Sequence, residues 1–257
     1  MDSGVASLKK AKEQIRLYRQ SVLAAAFSGR LLKASRDDIF SIQDSTPKDV
    51  ISNAHQLPDG WKWVKLGEVS LKITDGEHLR PKVQVDGIPF LSAKDVRENE
   101  VTFENVLYVS ENDAEKFRKK CNPEKGDILI VSRGATVGRL CIIKTDKIFC
   151  LLGSVILIKI DKKINSSFIA YMIKSPQLNK QIINVSGSTA QQAIYLRDIK
   201  SVEIPLPPLN QQTQIVEEIE KRFSEADNLE KAIDDSLKKS EALRQSILKQ
   251  AFEGRLV

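Results

Sequence analysis

Histidine is almost missing from this chain: His55 and His78 are the only two in 257 residues. They stand far apart and in no triad motif, so hydrolysis built on histidine has no visible framework. Cysteine is nearly as scarce. Cys121, Cys141 and Cys150 leave an odd one and show no metal-ligand spacing. That argues against a disulfide framework or a structural zinc site and suits reduced thiols in a cytoplasmic protein. Neither G-x-x-x-x-G-K-[ST] nor G-x-G-x-x-G occurs; "RGATVGRL" (133–140) lacks the lysine and spaces its glycines wrongly. Long apolar runs are missing too. The longest, "IFCLLGSVILI" (148–158), is bracketed by Lys147 and Lys159. A bilayer span needs about 20 apolar residues, so this run predicts one or two buried strands. The first residues, "MDSGVASLKK", carry no apolar signal core. These absences predict a protein with no catalytic residues, metal or cofactor of its own and no membrane contact. A binding or assembly role is left.

What is present is charge, unevenly spread. Lys and Arg exceed Asp and Glu by 40 to 34, giving +6. Residues 1–57 hold nine basic against six acidic residues, and residues 58–208 hold 23 against 18. Residues 209–257 reverse the balance with eight against ten. A basic excess outside the C-terminal segment suits a polyanionic partner, and solvated surface charge explains it equally well.

Periodicity divides the chain. Leu8, Ile15 and Val22 recur every seven residues, with Ala11, Tyr18 and Ala25 between them, a helical seam ended by Gly29. Residues 1–32 thus read as an N-terminal helix. Residues 33–57 are polar, aperiodic and contain Pro47, and read as a linker. Residues 58–208 change texture. β-rich pieces ("WKWVKLGEV", "DILIVS", "RLCIIK", "SVILIKI") alternate with helical ones ("NDAEKFRKK", "SFIAYMIKSPQLNKQI"), which predicts an α+β domain. Trp61 and Trp63 alternate with lysines as on a half-buried strand, and core packing is the expected role. Pro205, Pro207 and Pro208 end the domain. Asn210 is then a candidate N-cap, and residues 209–257 predict one long helix. Its seam runs through Ile219, Ala226, Ile233, Ser240 and Ile247, and through Arg222, Leu229, Ser236, Leu243 and Gln250. A seam with serines, an arginine and a glutamine predicts a helix that needs a partner.

The two helices are related. "RQSVLAAAFSGRL" (19–31) and "RQSILKQAFEGRL" (244–256) agree at nine of thirteen positions. The plan is helix, linker, globular head, long helix: a rod carrying one head.

Four stretches carry a family resemblance: "LPDGWKWVKLGEV" (57–69), "GDILIVSRGATVGRLCII" (126–143), "GSTAQQAIYLRDIKSVEIPLPPLNQQTQIV" (187–216) and "LRQSILKQAFEGRLV" (243–257). In this order the chain resembles the specificity subunit of Type I restriction-modification enzymes over nearly its whole length. Typical members carry two recognition domains and two spacers. This chain shows one recognition domain, one long spacer and a short second copy of the spacer's end, a half-length form. The resemblance implies a non-catalytic, sequence-specific binder of double-stranded DNA. Its implied partners are methyltransferase subunits, which bind S-adenosylmethionine, and the endonuclease/translocase subunit. The repeated helix ending further predicts a homodimer whose two heads read a palindromic site split by an unread gap, the alternative being a monomer whose N-terminal helix folds back on its own long helix.

Base reading needs donors on loops held by a rigid scaffold. Three loops offer them. Residues 72–87 bring Lys72, Thr74, Asp75, His78, Arg80 and Lys82 to a turn-prone stretch. Residues 132–139 bring Arg133, Thr136 and Arg139 beside Gly134 and Gly138. Residues 186–195 bring Ser188, Thr189, Gln191, Gln192 and Tyr195. Arginine can reach phosphates or guanine edges, and glutamine can pair with adenine. Ordinary readings compete at each: a solvated hairpin, a tight turn between core strands, and a flexible loop closing on the next strand. The residues expected to pack the spacer are Leu8, Ile15, Tyr18, Val22, Ile219, Leu229, Ile233, Leu243 and Ile247. Two other functions fit the outline: a coiled-coil scaffold with a protein-binding domain, and a stand-alone DNA-binding regulator.

Overall fold

A computed structural model of the chain describes residues 2–35, 38–39, 57–79, 81–185 and 193–253. The fold is α+β, as the texture of the sequence predicts. Helix α1 (Asp2–Phe27) leads to a 3-10 turn at Leu31–Lys33. The head holds strands β1 (Lys62–Lys65), β2 (Ser70–Asp75), β3 (Ile88–Leu91) and β4 (Leu107–Val109), then helix α2 (Glu111–Lys120). Next come β5 (Ile128–Val131), β6 (Leu140–Ile142), β7 (Cys150–Leu151) and β8 (Val155–Ile160). Helices α3 (Ser166–Lys174), α4 (Pro176–Val185) and α5 (Leu196–Ser201) precede β9 (Glu203–Leu206) and the 44-residue α6 (Leu209–Phe252).

A four-stranded sheet, in the order β2-β8-β5-β6, forms the middle of the head. Its neighbours are all antiparallel. Successive side chains on a strand point to opposite faces, and this sheet buries both. Ile128, Ile130, Ile156 and Ile158 enter a core shared with α1, α3 and α6. Leu129, Val131, Val155 and Leu157 enter a second core beneath the small sheet β4-β3-β7. That explains why "DILIVS" and "SVILIKI" read as continuous apolar runs. The run 148–158 supplies two strands, β7 and β8, as predicted.

Two helix boundaries differ from the sequence reading, and a third agrees with it. "SFIAYMIKSPQLNKQI" is two helices, since Ser175 turns extended ahead of Pro176. The N-cap of α6 is Pro208, not Asn210. Its carbonyl accepts from Gln211 and Gln212, and the Gln212 side chain ties the entry by donating to the Pro207 carbonyl at 2.8 Å. Gly29, by contrast, stops α1 as expected. With φ at 70° it closes a Schellman motif, Gly29 N–H donating to the Ala26 carbonyl and Arg30 N–H to that of Ala25.

Helix α1 folds back on its own chain, antiparallel to α6. Arg19 pairs with Asp227 at 2.6 Å and Glu230 at 2.7 Å; Lys12, two turns earlier, meets Asp234 at 2.8 Å. The end of α1 is more than a seam: Ser21 to Phe27 are all buried, wedged between α6 and the head. Trp61 and Trp63 pack there. The Trp61 Nε1–H donates to Gln211 Oε1 at 2.8 Å, and Trp63 lies 5.9 Å from the Phe27 ring. No helix among the described residues is long and apolar enough to cross a membrane.

Candidate nucleic-acid interface

The strand directions bring loops to one end of the central sheet. β2 and β5 end there; β6 and β8 begin there. Backbone hydrogen bonds then lace the loops side by side. Glu77 N–H donates to the Leu151 carbonyl at 2.8 Å, and Gly153 N–H returns to Glu77 at 2.7 Å. Ser132 N–H donates to the Ser154 carbonyl at 2.8 Å, and Ile194 N–H donates to the Ser132 carbonyl at 2.9 Å. Arg133 bridges Ala193. Segments as far apart in sequence as Glu77 and Ile194 thus form one continuous rim. Just past the other end of β8, the Asn165 N–H donates to Gln212 Oε1 at the root of α6. Rim and spacer root sit at opposite ends of the same strand.

The first loop is organised around Asp75. Its carboxylate takes Lys120 Nζ at 2.8 Å and His78 Nε2 at 2.6 Å. Burial would raise its pKa, but these hydrogen bonds from Lys120 and His78 outweigh that and hold the group ionised to lower pH than usual. The His78 ring lies over Gly153, where a Cβ would come within 2.5 Å of Nδ1. Asp75 therefore positions its neighbours and has little capacity left for a base. Thr74 is 7% exposed, with its hydroxyl 3.4 Å from the Asp75 carbonyl, and offers nothing to a ligand. Lys72 is exposed on β2 opposite Lys159, and Lys82 is exposed further along the loop.

In the second loop Arg133 is exposed, while Thr136 is half-buried. Arg139 is half-buried, its guanidinium turned back to the Val96 carbonyl at 3.4 Å, so it serves the loop's own fold. Of the third loop, Ser188, Thr189, Gln191 and Gln192 lie outside the described residues, as does Arg80 of the first. Tyr195 is half-exposed, and the Arg197 guanidinium stands 5.7 Å from the centre of its ring. Lys120 and Arg197 are basic residues of this rim that the loop-based reading missed. A basic last turn on "NDAEKFRKK" and an arginine opening α5 were the available signals.

Among the described residues no group of three or more His, Cys, Asp or Glu side chains converges. The thiols are buried, Cys121 pushed up to about 12 and Cys141 and Cys150 to about 11 by desolvation. None is a poised nucleophile.

A laced rim of polar loops on a two-core head, carried by a long helix clasped to a shorter one, defines a protein of the head-and-spacer class. The chain belongs to the Type I restriction modification DNA specificity domain family, whose profile matches residues 58–239. It is similar to the Type I restriction enzyme EcoBI specificity subunit of Escherichia coli, 29% identical over 266 residues, all of this chain and 53% of that one. It is also similar to the EcoKI specificity subunit of Escherichia coli K12, 26% identical over 262 residues and covering 53% of it. The HsdS subunit of Thermoanaerobacter tengcongensis shares the fold, with a TM-score of 0.63 at 23% identity over 98% of this chain and 54% of that one. The chain spans about half the length of the curated relatives it matches.

Proposed function

We propose that this chain is a sequence-specific DNA-recognition subunit of a Type I restriction-modification system and is not itself an enzyme. The observation that carries this reading is the laced rim, which sets exposed Arg133, Tyr195 and Arg197 on one end of a rigid sheet. Phosphate contacts from such residues fix register, and base-edge contacts supply sequence. Arg133 and the glutamines Gln191 and Gln192 are the first choices for base edges. Lys72, Lys82, Lys120, Thr136, Ser188, Thr189 and Arg197 suit phosphates. His78, Arg80 and Tyr195 flank them, whereas Thr74, Asp75 and Arg139 shape the loops.

The spacer would hold methyltransferase subunits, which bring S-adenosylmethionine, and the endonuclease/translocase subunit. Two copies related by a twofold axis would read a palindromic site with an unread gap, the half-sites about one DNA turn, ~34 Å, or more apart. The test is co-expression with the methyltransferase subunit followed by mapping of methylated adenines. A gapped palindrome is expected; an ungapped or asymmetric sequence overturns the symmetric arrangement.

A further inference from the structure

Strand direction brings a fourth loop to the rim. β3 runs parallel to β7, which turns into the rim at Gly153 and Ser154, and β4 pairs antiparallel with β3. The connection between β3 and β4, residues 92–106, therefore leaves and returns on the rim side. Leu152 N–H donates to the Leu91 carbonyl at 2.8 Å, and Ala93 N–H donates to Ser154 Oγ at 3.3 Å. The Ser154 carbonyl in turn takes the Ser132 N–H, one residue before Arg133. This connection is tied to the same turn that anchors the second loop.

It is also built to hold one shape. Asp95 is 2% exposed, and one of its carboxylate oxygens accepts from both the N–H and the hydroxyl of Ser92, at 2.8 and 2.9 Å. Past it Val96 bridges Val101, and Arg97 N–H donates to the Glu100 carbonyl at 2.9 Å, so that Glu98 and Asn99 form the tip of a small hairpin. Two cations hold that hairpin by its carbonyls. The Arg139 guanidinium meets Val96 at 3.4 Å, and Lys174 Nζ, from the end of α3, meets Glu98 at 2.9 Å. Arg97, Glu98, Asn99 and Glu100 are exposed. The Arg97 guanidinium has no ion pair or side-chain hydrogen bond among the described residues.

A guanidinium flanked by two carboxylates is poorly suited to a phosphate, because a phosphate brought to Arg97 also meets Glu98 and Glu100. A G·C pair is a better match. In the major groove its guanine offers two acceptors and its cytosine an amine donor, which arginine and glutamate respectively complement. We propose that this hairpin is a fourth reading element of the rim, with Arg97 as a specificity-determining residue for a G·C pair and with Glu98 and Glu100 keeping the DNA backbone away. The proposal rests on the DNA-binding reading of the rim and adds to it a residue and the base pair it selects.

Selection from a randomised pool of double-stranded oligonucleotides tests this, with the full chain used alone and together with the methyltransferase subunit. Arg97→Ala should lose ~10–100-fold of preference at a single G·C position. The other positions should keep theirs, and the melting temperature should hold, because the side chain is in water. Glu98→Gln with Glu100→Gln should raise affinity for unrelated duplexes roughly threefold at low salt. Unchanged preferences in Arg97→Ala overturn the role of the hairpin, while selection by the unaltered chain still upholds DNA recognition. A uniform loss of affinity with every preference intact assigns Arg97 to a phosphate and overturns that role too. If the unaltered chain enriches no sequence in either form, DNA reading itself fails and the hairpin's part in it fails with it.

Discussion

The head and the spacer are held together by different means. In the head, β5 is buried on both faces, and two apolar cores meet across one sheet. In the spacer, α1 and the first half of α6 share one apolar strip edged by charge, and a groove of about 420 Å³ between Ala11, Ile15, Tyr18, Ala226, Leu229 and Ile233 is left unfilled. From Glu241 to Glu253 the end of α6 is exposed apart from half-buried Ile247. Burial on two sides leaves a segment one place to go. A one-sided strip leaves the choice of partner to a few ion pairs and to whichever helix is available. The head is therefore the fixed part and the spacer the negotiable one.

The widest gap between the two regions should come from removing a side chain on the central sheet. Leu129 is fully buried on β5. Leu129→Ala should cost ~2–5 kcal/mol in chemical denaturation, the transfer loss plus the cavity. Ile233→Ala, beside the unfilled groove, should cost distinctly less. Equal losses would show that the spacer packs as tightly as the head and would break the comparison.

Next in size is an effect on binding rather than folding. Arg133→Ala should weaken cognate DNA by ~1–3 kcal/mol if the residue reads a base. Its exposure predicts a stability change within ~0.5 kcal/mol. Arg139→Ala should do the reverse, since its guanidinium is spent on the Val96 carbonyl. Binding isotherms at several salt concentrations, beside melting curves, separate the two. A uniform loss over all sequences with a shallower salt slope would reassign Arg133 to a phosphate.

Much of this was legible in the sequence, and the misses have causes. The α+β head, the long helix and its relation to α1 follow from local pattern: β-rich runs, heptad spacing and a thirteen-residue repeat. The stop at Gly29 follows from glycine's ease at positive φ. The cap at Pro208 was missed because a side-chain acceptor looks like a cap, whereas here Gln212 turns back on Pro207 from inside the helix. Thr74 and Asp75 look like ligands in a polar string. Only the pairing with β8 and the arrival of Lys120 from α2 show one buried and the other already bonded. That three loops share a rim depends on strand directions, which no local pattern encodes.

A smaller effect should mark the clasp. Arg19 bridges Asp227 and Glu230, and Arg19→Ala should cost about 1 kcal/mol, less at high salt. Acid should act in the same direction. The Arg19 hydrogen bond, helped by Lys12, holds Glu230 below its ordinary 4.5. A depressed carboxylate gives its stabilisation in full above the unfolded value, and loses it as pH falls through the folded one. The clasp should therefore loosen below about pH 4.5, read as increased amide exchange in α1 ahead of the head. Loosening as pH rises from 5 to 8 instead would contradict the assignment.

The smallest effect is the most telling for the comparison. Leu248 is half in water on the second half of α6, while Leu23, its counterpart in the repeat, is 6% exposed where α1 is wedged between α6 and the head. Leu23→Ser removes a packed side chain from the shared core and should destabilise the chain clearly. Leu248→Ser removes nothing packed. In a dilute sample of the monomer it should shift stability by no more than ~0.5 kcal/mol, of either sign, the small helix-propensity cost of serine being offset by removing an apolar group from water. The same chemical change in the same repeated word should thus have unequal effects, because stability follows what a residue touches and not the word it belongs to. If Leu248→Ser destabilises the dilute monomer as much as Leu23→Ser does, the second half of α6 is packed within a single chain, and the division between a fixed head and an open spacer end fails there.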